Sequence, residues 1–127
     1  MVFAKRVFLV AGVYGLVALL PQYFLETKNG VDFPPPINHP EYYYGFVGVA
    51  LAWQVLFLLL AQDPVRYRLM MIPAVLEKAS FGIATIVLYA GHRTSLFMLC
   101  CGLFDLLLGA LFAVAYVKTA SAAPERR

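Results

Sequence analysis

Four long apolar stretches, separated by short polar segments, constrain this chain more than any other feature. A helix needs about 20 apolar residues to cross the hydrocarbon core of a bilayer. Four stretches approach that length, at residues 7–25, 43–61, 69–90 and 96–117. Residues 1–127 are therefore predicted to form a single all-α domain, an integral membrane bundle of four transmembrane helices.

Composition supports the same fold class and narrows the functional classes. Hydrophobic residues make up 62% of the chain and charged residues 13%, against roughly 45–50% and about 25% in soluble domains. This balance excludes a disordered chain, a nucleic-acid binder and an ordinary water-soluble enzyme. The first stretch follows Lys5 and Arg6, as in a signal peptide, but no small-x-small cleavage site ends it, so we expect a retained helix.

The distribution of basic residues predicts the orientation, because cytoplasmic loops carry the excess of Lys and Arg. Two basic residues, Lys28 and Arg93, fall on the side opposite the termini. Seven fall on the side of the termini: Lys5, Arg6, Arg66, Arg68, Lys118, Arg126 and Arg127. Both termini are therefore predicted to be cytoplasmic, with residues 118–127 forming a short basic cytoplasmic tail.

Prolines and tyrosines mark the boundaries of the stretches. Three consecutive prolines at 34–36 predict an extended, stiff path for the outer segment 26–42, which would form a strap. Pro73 predicts a kink near Leu69. Tyrosines near the boundaries are typical of aromatic belts at the headgroups: Tyr23, Tyr42, Tyr43, Tyr44, Tyr67, Tyr89 and Tyr116.

Polar side chains inside the apolar stretches are the candidate functional residues. A charge at the centre of a spanning helix costs roughly 2.5–3.5 kcal/mol, so we expect such residues to have a structural or functional role that offsets this cost. Glu77 and Lys78 lie in the third stretch and Asp105 lies in the fourth, while Gln54 and Tyr14 lie at nearly the same depth in the second and first. The sequence therefore predicts an intramembrane polar cluster to which all four helices contribute.

Stripes of small residues predict which helix faces pack together, since helices in lipid approach each other through small side chains. Lys78 shares its face with Gly82, and Asp105 shares its face with Gly102 and Gly109. The other stripes are Ala11, Gly15 and Ala18 in the first stretch and Gly45, Gly48 and Ala52 in the second. We expect a left-handed bundle with all these stripes inward.

Two interpretations of the polar cluster are open. In the structural one, a Lys78–Asp105 pair fixes helix register, Gln54 and Tyr14 hydrogen-bond to it, and Glu77 turns toward the cytoplasmic interface. In the functional one, a single ammonium against two carboxylates leaves a surplus negative charge, which suits a proton or ligand site.

Other reactive side chains carry weaker signals. His39 and His92 lie on the outer side without metal-ligand spacing, so no metal site is predicted. Adjacent Cys100 and Cys101 favour helix packing over redox chemistry. No catalytic residue is predicted, and Trp53 is expected to pack within the bundle.

Two runs, one within the third stretch and one that continues past its end, resemble a known family. They are Glu77-Lys78-Ala79-Ser80-Phe81-Gly82-Ile83 and Leu88-Tyr89-Ala90-Gly91-His92-Arg93. An acidic residue before a glycine, then an apolar run and a Gly-x-Arg turn, resembles the DoxX-like group of small four-helix bacterial membrane proteins. The resemblance implies a bundle in a bacterial inner membrane, in some members associated with quinone-linked sulfur oxidation, and it implies roles for Glu77 and Arg93.

The leading hypothesis is a small non-enzymatic accessory or interaction subunit of a bacterial cytoplasmic membrane. Its partners would be the lipid bilayer and a membrane protein or a second copy, without nucleic acid or cofactor. The alternative is a lipid-, quinone- or proton-binding site in which Glu77, Lys78 and Asp105 work with Tyr14 and Gln54. A proton-coupled transporter ranks below both, because four short helices leave little room for a substrate path.

Overall fold

The computed structural model describes residues 2–122, which fold into five α-helices with no strand among them. The helices are α1 (Val2–Leu19), α2 (Glu26–Asp32), α3 (Pro40–Gln62), α4 (Met71–Ala90) and α5 (Leu96–Thr119). The all-α prediction is confirmed. Within the described residues, the helices long and apolar enough to cross a membrane are four: Val2–Phe24, Pro40–Gln62, Arg68–Ala90 and Leu96–Thr119. Residues 123–127, with Arg126, Arg127 and half of the predicted tail, lie outside the described residues.

The long helices pack as two close pairs. α1 packs along α3 and α4 packs along α5, and α1 joins the pairs by also packing on α5, whereas α3 and α4 approach each other sparingly. Three buried phenylalanines connect α1, α3 and α5: Phe8 stacks on Phe112 with ring centroids 4.3 Å apart, and Phe57 meets Phe112 edge-on at 4.9 Å. This aromatic core fills the half of the bundle in which α1 begins and α5 ends.

One end of the bundle is basic, and we call it the basic end. It carries Lys5, Arg6, Arg66, Arg68 and Lys118, against the single acid Asp63 in the described part of the chain. Lys118 Nζ lies 4.3 Å above the Phe3 ring, so α1 begins beside the end of α5. At the opposite end Lys28 and Arg93 stand against Glu26, Asp32 and Glu41. This asymmetry agrees with cytoplasmic termini, which stay a prediction.

The segment between α1 and α3 forms a cap on the opposite end, and the extended path predicted for all of 26–42 is wrong. Residues Glu26–Asp32 form α2 because Glu26 suits a helix N-terminus and Lys28 Nζ pairs with Asp32 Oδ2 at 2.6 Å one turn on. Tyr43 OH donates to Gln22 O at 2.6 Å, and Tyr44 OH donates to Glu26 Oε2 at 2.7 Å. These two tyrosines therefore fasten the cap to α3.

The cap crosses the bundle end, as expected of a strap. Phe33, which follows α2, stacks on Phe97 in the first turn of α5 with ring centroids 5.6 Å apart. Asn29 Nδ2 donates to Gln22 Oε1 at 2.8 Å and holds α2 against the end of α1. The segment therefore ties the α1–α3 pair to the α4–α5 pair.

Proline positions agree with the predicted boundaries. The α-helical geometry of α1 changes to a 3-10 turn at Leu20–Phe24, which has Pro21 at its start. A second 3-10 turn, Arg68–Met70, precedes α4, so the helical path changes at the predicted place near Leu69. Pro73 lies in the first turn of α4, where its missing N–H costs no helical hydrogen bond.

Candidate functional site

Close approach of α4 and α5 positions the candidate site. A Cβ on Gly82 would lie 2.8 Å from Gly102 O, and a Cβ on Gly102 would overlap the Thr85 hydroxyl. Farther along, a Cβ on Gly109 would lie 3.2 Å from Lys78 Cβ. The small-residue faces predicted for these two helices therefore do meet, and they carry Lys78 and Asp105 toward each other.

Lys78 lies between two carboxylates, and we call Glu77, Lys78 and Asp105 the charge cluster. Lys78 Nζ is 3.5 Å from Asp105 Oδ1 and 3.7 Å from Glu77 Oε2. The side chains are 4% exposed for Lys78, 17% for Glu77 and 15% for Asp105. With all three groups ionised the cluster carries one surplus negative charge. Both distances exceed the roughly 2.7–2.9 Å of a short charge-assisted hydrogen bond.

An aromatic ring completes the surroundings of the ammonium. Lys78 Nζ lies 5.2 Å from the centroid of Phe57, whose other neighbours are Phe8 and Phe112. A cation near a ring face is attracted to it, more so where water is excluded. Lys78 is thus held by two carboxylates and an aromatic ring, which offsets part of its desolvation.

Glu77 differs from its two partners because it lies on the side of α4 that turns toward α3. Phe81, one turn after Glu77 on the same face, stacks on Phe46 of α3 with ring centroids 5.9 Å apart. Glu77 Oε2 is buried without a hydrogen-bond partner among the described residues. We call the surface formed by Phe46, Glu77 and Phe81 the α3–α4 seam.

Gln54 and Tyr14 do not join the charge cluster through hydrogen bonds, and this part of the prediction is wrong. Gln54 is 2% exposed, and its Nε2 donates to Ala50 O of its own helix at 2.8 Å. Its Oε1 packs against Gly15 of α1 and has no partner among the described residues. Tyr14 is 40% exposed and packs edge-on against Phe104 at 4.8 Å. The depths of Gln54 and Tyr14 in their helices do not determine which way their side chains point, and neither side chain hydrogen-bonds to Lys78 in the described residues.

Arg93, the second residue implied by the family resemblance, lies far from Glu77. Its backbone N–H donates to Leu88 O at 2.8 Å in the turn that ends α4. The helix from Glu77 to Ala90 alone spans about 20 Å. The structure therefore gives Glu77 and Arg93 separate surroundings, one within the bundle and one at its capped end.

In α3, which contains the second apolar stretch, the buried face differs from the one predicted from the sequence. Gly45 and Ala52, predicted to point inward, are exposed, and the buried residues of α3 are Val47, Ala50, Gln54, Phe57 and Leu60. Cys100 is also exposed, so the packing role predicted for it is wrong, whereas Cys101 is half-buried. Trp53 is half-buried against the aromatic core, as expected.

Comparison with known proteins yields no relative. No family model, no curated protein and no solved structure matches this chain. Fold and site together define a small all-helical protein with four membrane-span-like helices and a charge cluster beside a seam where two helix backbones stay apart. The resemblance to DoxX-like proteins stays a prediction.

Proposed function

We propose that this chain is a non-enzymatic interaction subunit of a bacterial cytoplasmic membrane, with both termini in the cytoplasm, and that its α3–α4 seam binds a helix of a membrane-embedded partner. One observation carries the proposal. Glu77 Oε2 is buried without a hydrogen-bond partner, and only the longer ion-pair contact with Lys78 Nζ at 3.7 Å reaches it, where the backbones of α3 and α4 stay apart. A buried polar atom without a partner costs free energy that a bound donor would recover.

The charge of the cluster favours a partner of a particular chemistry. Two carboxylates face one ammonium, so a Lys or an Arg at the depth of Glu77 would balance the surplus negative charge. A second copy fits less well, because a two-fold contact pairs the same patch of both subunits and would bring two negative clusters together. The seam therefore suits a different protein.

The shape of the seam favours a partner helix with small residues on its contact face. Phe46 is 52% exposed, and its ring stacks on the ring of Phe81 between α3 and α4. Bulky rings on this chain are accommodated best by Gly, Ala or Ser on the partner, as in other membrane helix contacts.

Synthetic single-span peptides test this recognition directly. Fluorescently labelled full-length protein in phosphatidylcholine vesicles is titrated with two Leu/Ala peptides, identical except that one carries a Lys at the depth of Glu77. We expect the Lys peptide to associate at least about tenfold more tightly, as measured by energy transfer, because an ion pair formed in hydrocarbon is weakly screened. Glu77→Gln should abolish that preference.

The matched control is Ser80→Ala, which changes an exposed polar residue of the same helix whose hydroxyl bonds only its own backbone at Glu77 O, 2.9 Å away. It should leave the preference intact. Equal affinity for both peptides, or a preference that survives Glu77→Gln, would overturn the proposal. Strong energy transfer between labelled copies of the protein, lost in Glu77→Gln, would assign the seam to self-association instead.

A second candidate uses the same carboxylate for a small hydrophobic ligand. The Phe46–Phe81 ring pair lies one helical turn along α4 from Glu77, and aromatic walls with one polar group are typical of sites for apolar molecules with a polar head. A lipid hydroxyl or the hydroxyl of a reduced quinone would donate to Glu77 Oε2. Native mass spectrometry distinguishes the two candidates, because this one predicts a bound small molecule that is lost in Glu77→Gln.

A further inference from the structure

A groove at the basic end separates α1 from α3. The two helices approach closely at Gly12, where a Cβ would lie 3.1 Å from Gln54 O, and they leave an open groove toward the start of α1. Its volume is about 460 Å³, and it is a groove open along the surface rather than an enclosed cavity. The lining residues are Lys5, Arg6, Leu9, Leu58, Ala61 and Gln62.

The groove combines an apolar wall with two cations at one end. Leu9, Leu58 and Ala61 form the wall, and Lys5 and Arg6 are exposed beside it. The ion pairs within the described residues engage other cations, namely Lys28, His39 and Lys78. The acid that follows the lining segment, Asp63, is occupied because its Oδ1 accepts from Arg66 N at 3.1 Å.

We propose that this groove binds an anionic phospholipid, with its phosphate at Lys5 and Arg6 and an acyl chain along Leu9 and Leu58. The position of the groove supports this occupant. The groove lies at the basic end, which carries five basic residues. With the long helices across a bilayer, this end of the bundle lies at the level of the headgroups of one leaflet. A free anion would use the cations and leave the apolar wall unoccupied, whereas a phospholipid uses both.

This site is separate from the α3–α4 seam. It is built by α1 and the end of α3, and none of its lining residues belongs to α4 or to the charge cluster. The proposal of lipid binding in this groove is therefore independent of the proposal that a partner binds at Glu77.

The test is native mass spectrometry of the full-length protein in detergent, titrated with phosphatidylglycerol and with phosphatidylcholine. We expect one phosphatidylglycerol to be retained roughly 30-fold more tightly than phosphatidylcholine, the factor expected from two cations near an anionic headgroup. The double variant Lys5→Gln/Arg6→Gln should lose this preference. Its matched control, Arg66→Gln/Lys118→Gln, removes the same charge from the same end outside the groove and should keep most of it.

A steric variant separates the groove from general charge attraction. Leu9 is 52% exposed, so Leu9→Trp can fill the groove while keeping both cations, and we expect it to weaken phosphatidylglycerol retention about tenfold. It also decides the question if the double variant fails to fold. Inorganic phosphate in excess should not displace the bound lipid, because it cannot occupy the apolar wall. Displacement by phosphate would show an anion site without a lipid groove.

Three other results would overturn the proposal. Wild-type protein could retain both lipids equally, the two double variants could lose phosphatidylglycerol to the same extent, or Leu9→Trp could bind it as the wild type does. The first result would remove headgroup selectivity, the second would reduce the effect to net charge, and the third would remove the groove.

Discussion

The two sides of α4 contrast in how they are packed. Toward α5 the contact is made through Gly82, Gly102 and Gly109, and the backbones approach until an added Cβ would collide. Toward α3 the contacts include a ring pair, Phe46 on Phe81, and the Lys78 ammonium near the Phe57 ring, beside a carboxylate oxygen without a hydrogen-bond partner. The helix backbones therefore approach closely on one side of α4 and stay farther apart on the other.

The difference shows where the chain is complete by itself. Membrane helices have no hydrophobic force to hold them together, since lipid tails are as apolar as their side chains. Association therefore depends on close packing and on polar contacts, and the α4–α5 interface has both. At the α3–α4 seam the two backbones stay farther apart and side chains bridge the gap beside a polar group, which is why we assign the seam to a partner.

The largest expected effect comes from removing the cation that both sides share. Lys78→Met leaves the half-buried carboxylates of Glu77 and Asp105 without their shared counter-ion, and breaking a buried pair in this way costs about 3–5 kcal/mol. We expect that loss in the free energy of unfolding measured by detergent titration in mixed micelles. The triple variant with Glu77→Gln and Asp105→Asn should recover most of it. If Lys78→Met alone were as stable as the wild type, the charge cluster would not hold α4 to α5.

The next largest effect tests the packed side alone. Gly82→Ala forces a Cβ against Gly102 O and Leu106, and overpacking of this kind costs about 1–3 kcal/mol. The matched control is Gly45→Ala in α3, where no atom lies within 4 Å of the added Cβ. The control should be neutral or up to about 1 kcal/mol more stable through helix propensity. Equal effects of the two substitutions in the same unfolding titration would contradict the packing difference.

The smallest effect is expected on the seam. Phe46→Ala removes a ring that is already 52% exposed, so it should lower the free energy of unfolding by about 1 kcal/mol or less. Phe57→Ala, in the same helix but fully buried, should cost about 3–5 kcal/mol. A seam substitution as costly as the core one would show that α3 and α4 are already packed together in the protein alone.

Sequence reasoning succeeded where charge and small residues mark the same face. In α4 and α5 the spacing of Lys78 with Gly82, and of Asp105 with Gly102 and Gly109, fixed which sides meet, and the glycine contacts confirm it. The four membrane-span-like helices followed from length and hydropathy alone.

Sequence reasoning failed to identify the buried face of a helix where every face is apolar. Tyr14 and Ala52 were expected inward and are exposed, because lipid-facing and protein-facing residues of a spanning helix are equally hydrophobic and leave no periodic signal. The helix α2 was missed for a different reason. Its seven residues are too short to be stable alone, and contacts of Tyr44 and Phe33 with other segments hold it in place.

The seam is the central claim, and its most direct test is the mass of the intact assembly. The protein is extracted from its host membrane without detergent and measured by native mass spectrometry, alongside Glu77→Gln and the control Ser80→Ala. We predict that the wild type and Ser80→Ala travel with one protein partner at fixed stoichiometry, and that Glu77→Gln travels without it. Detection of the wild-type chain alone or as a homo-oligomer, or of a partner retained by Glu77→Gln, would contradict the account.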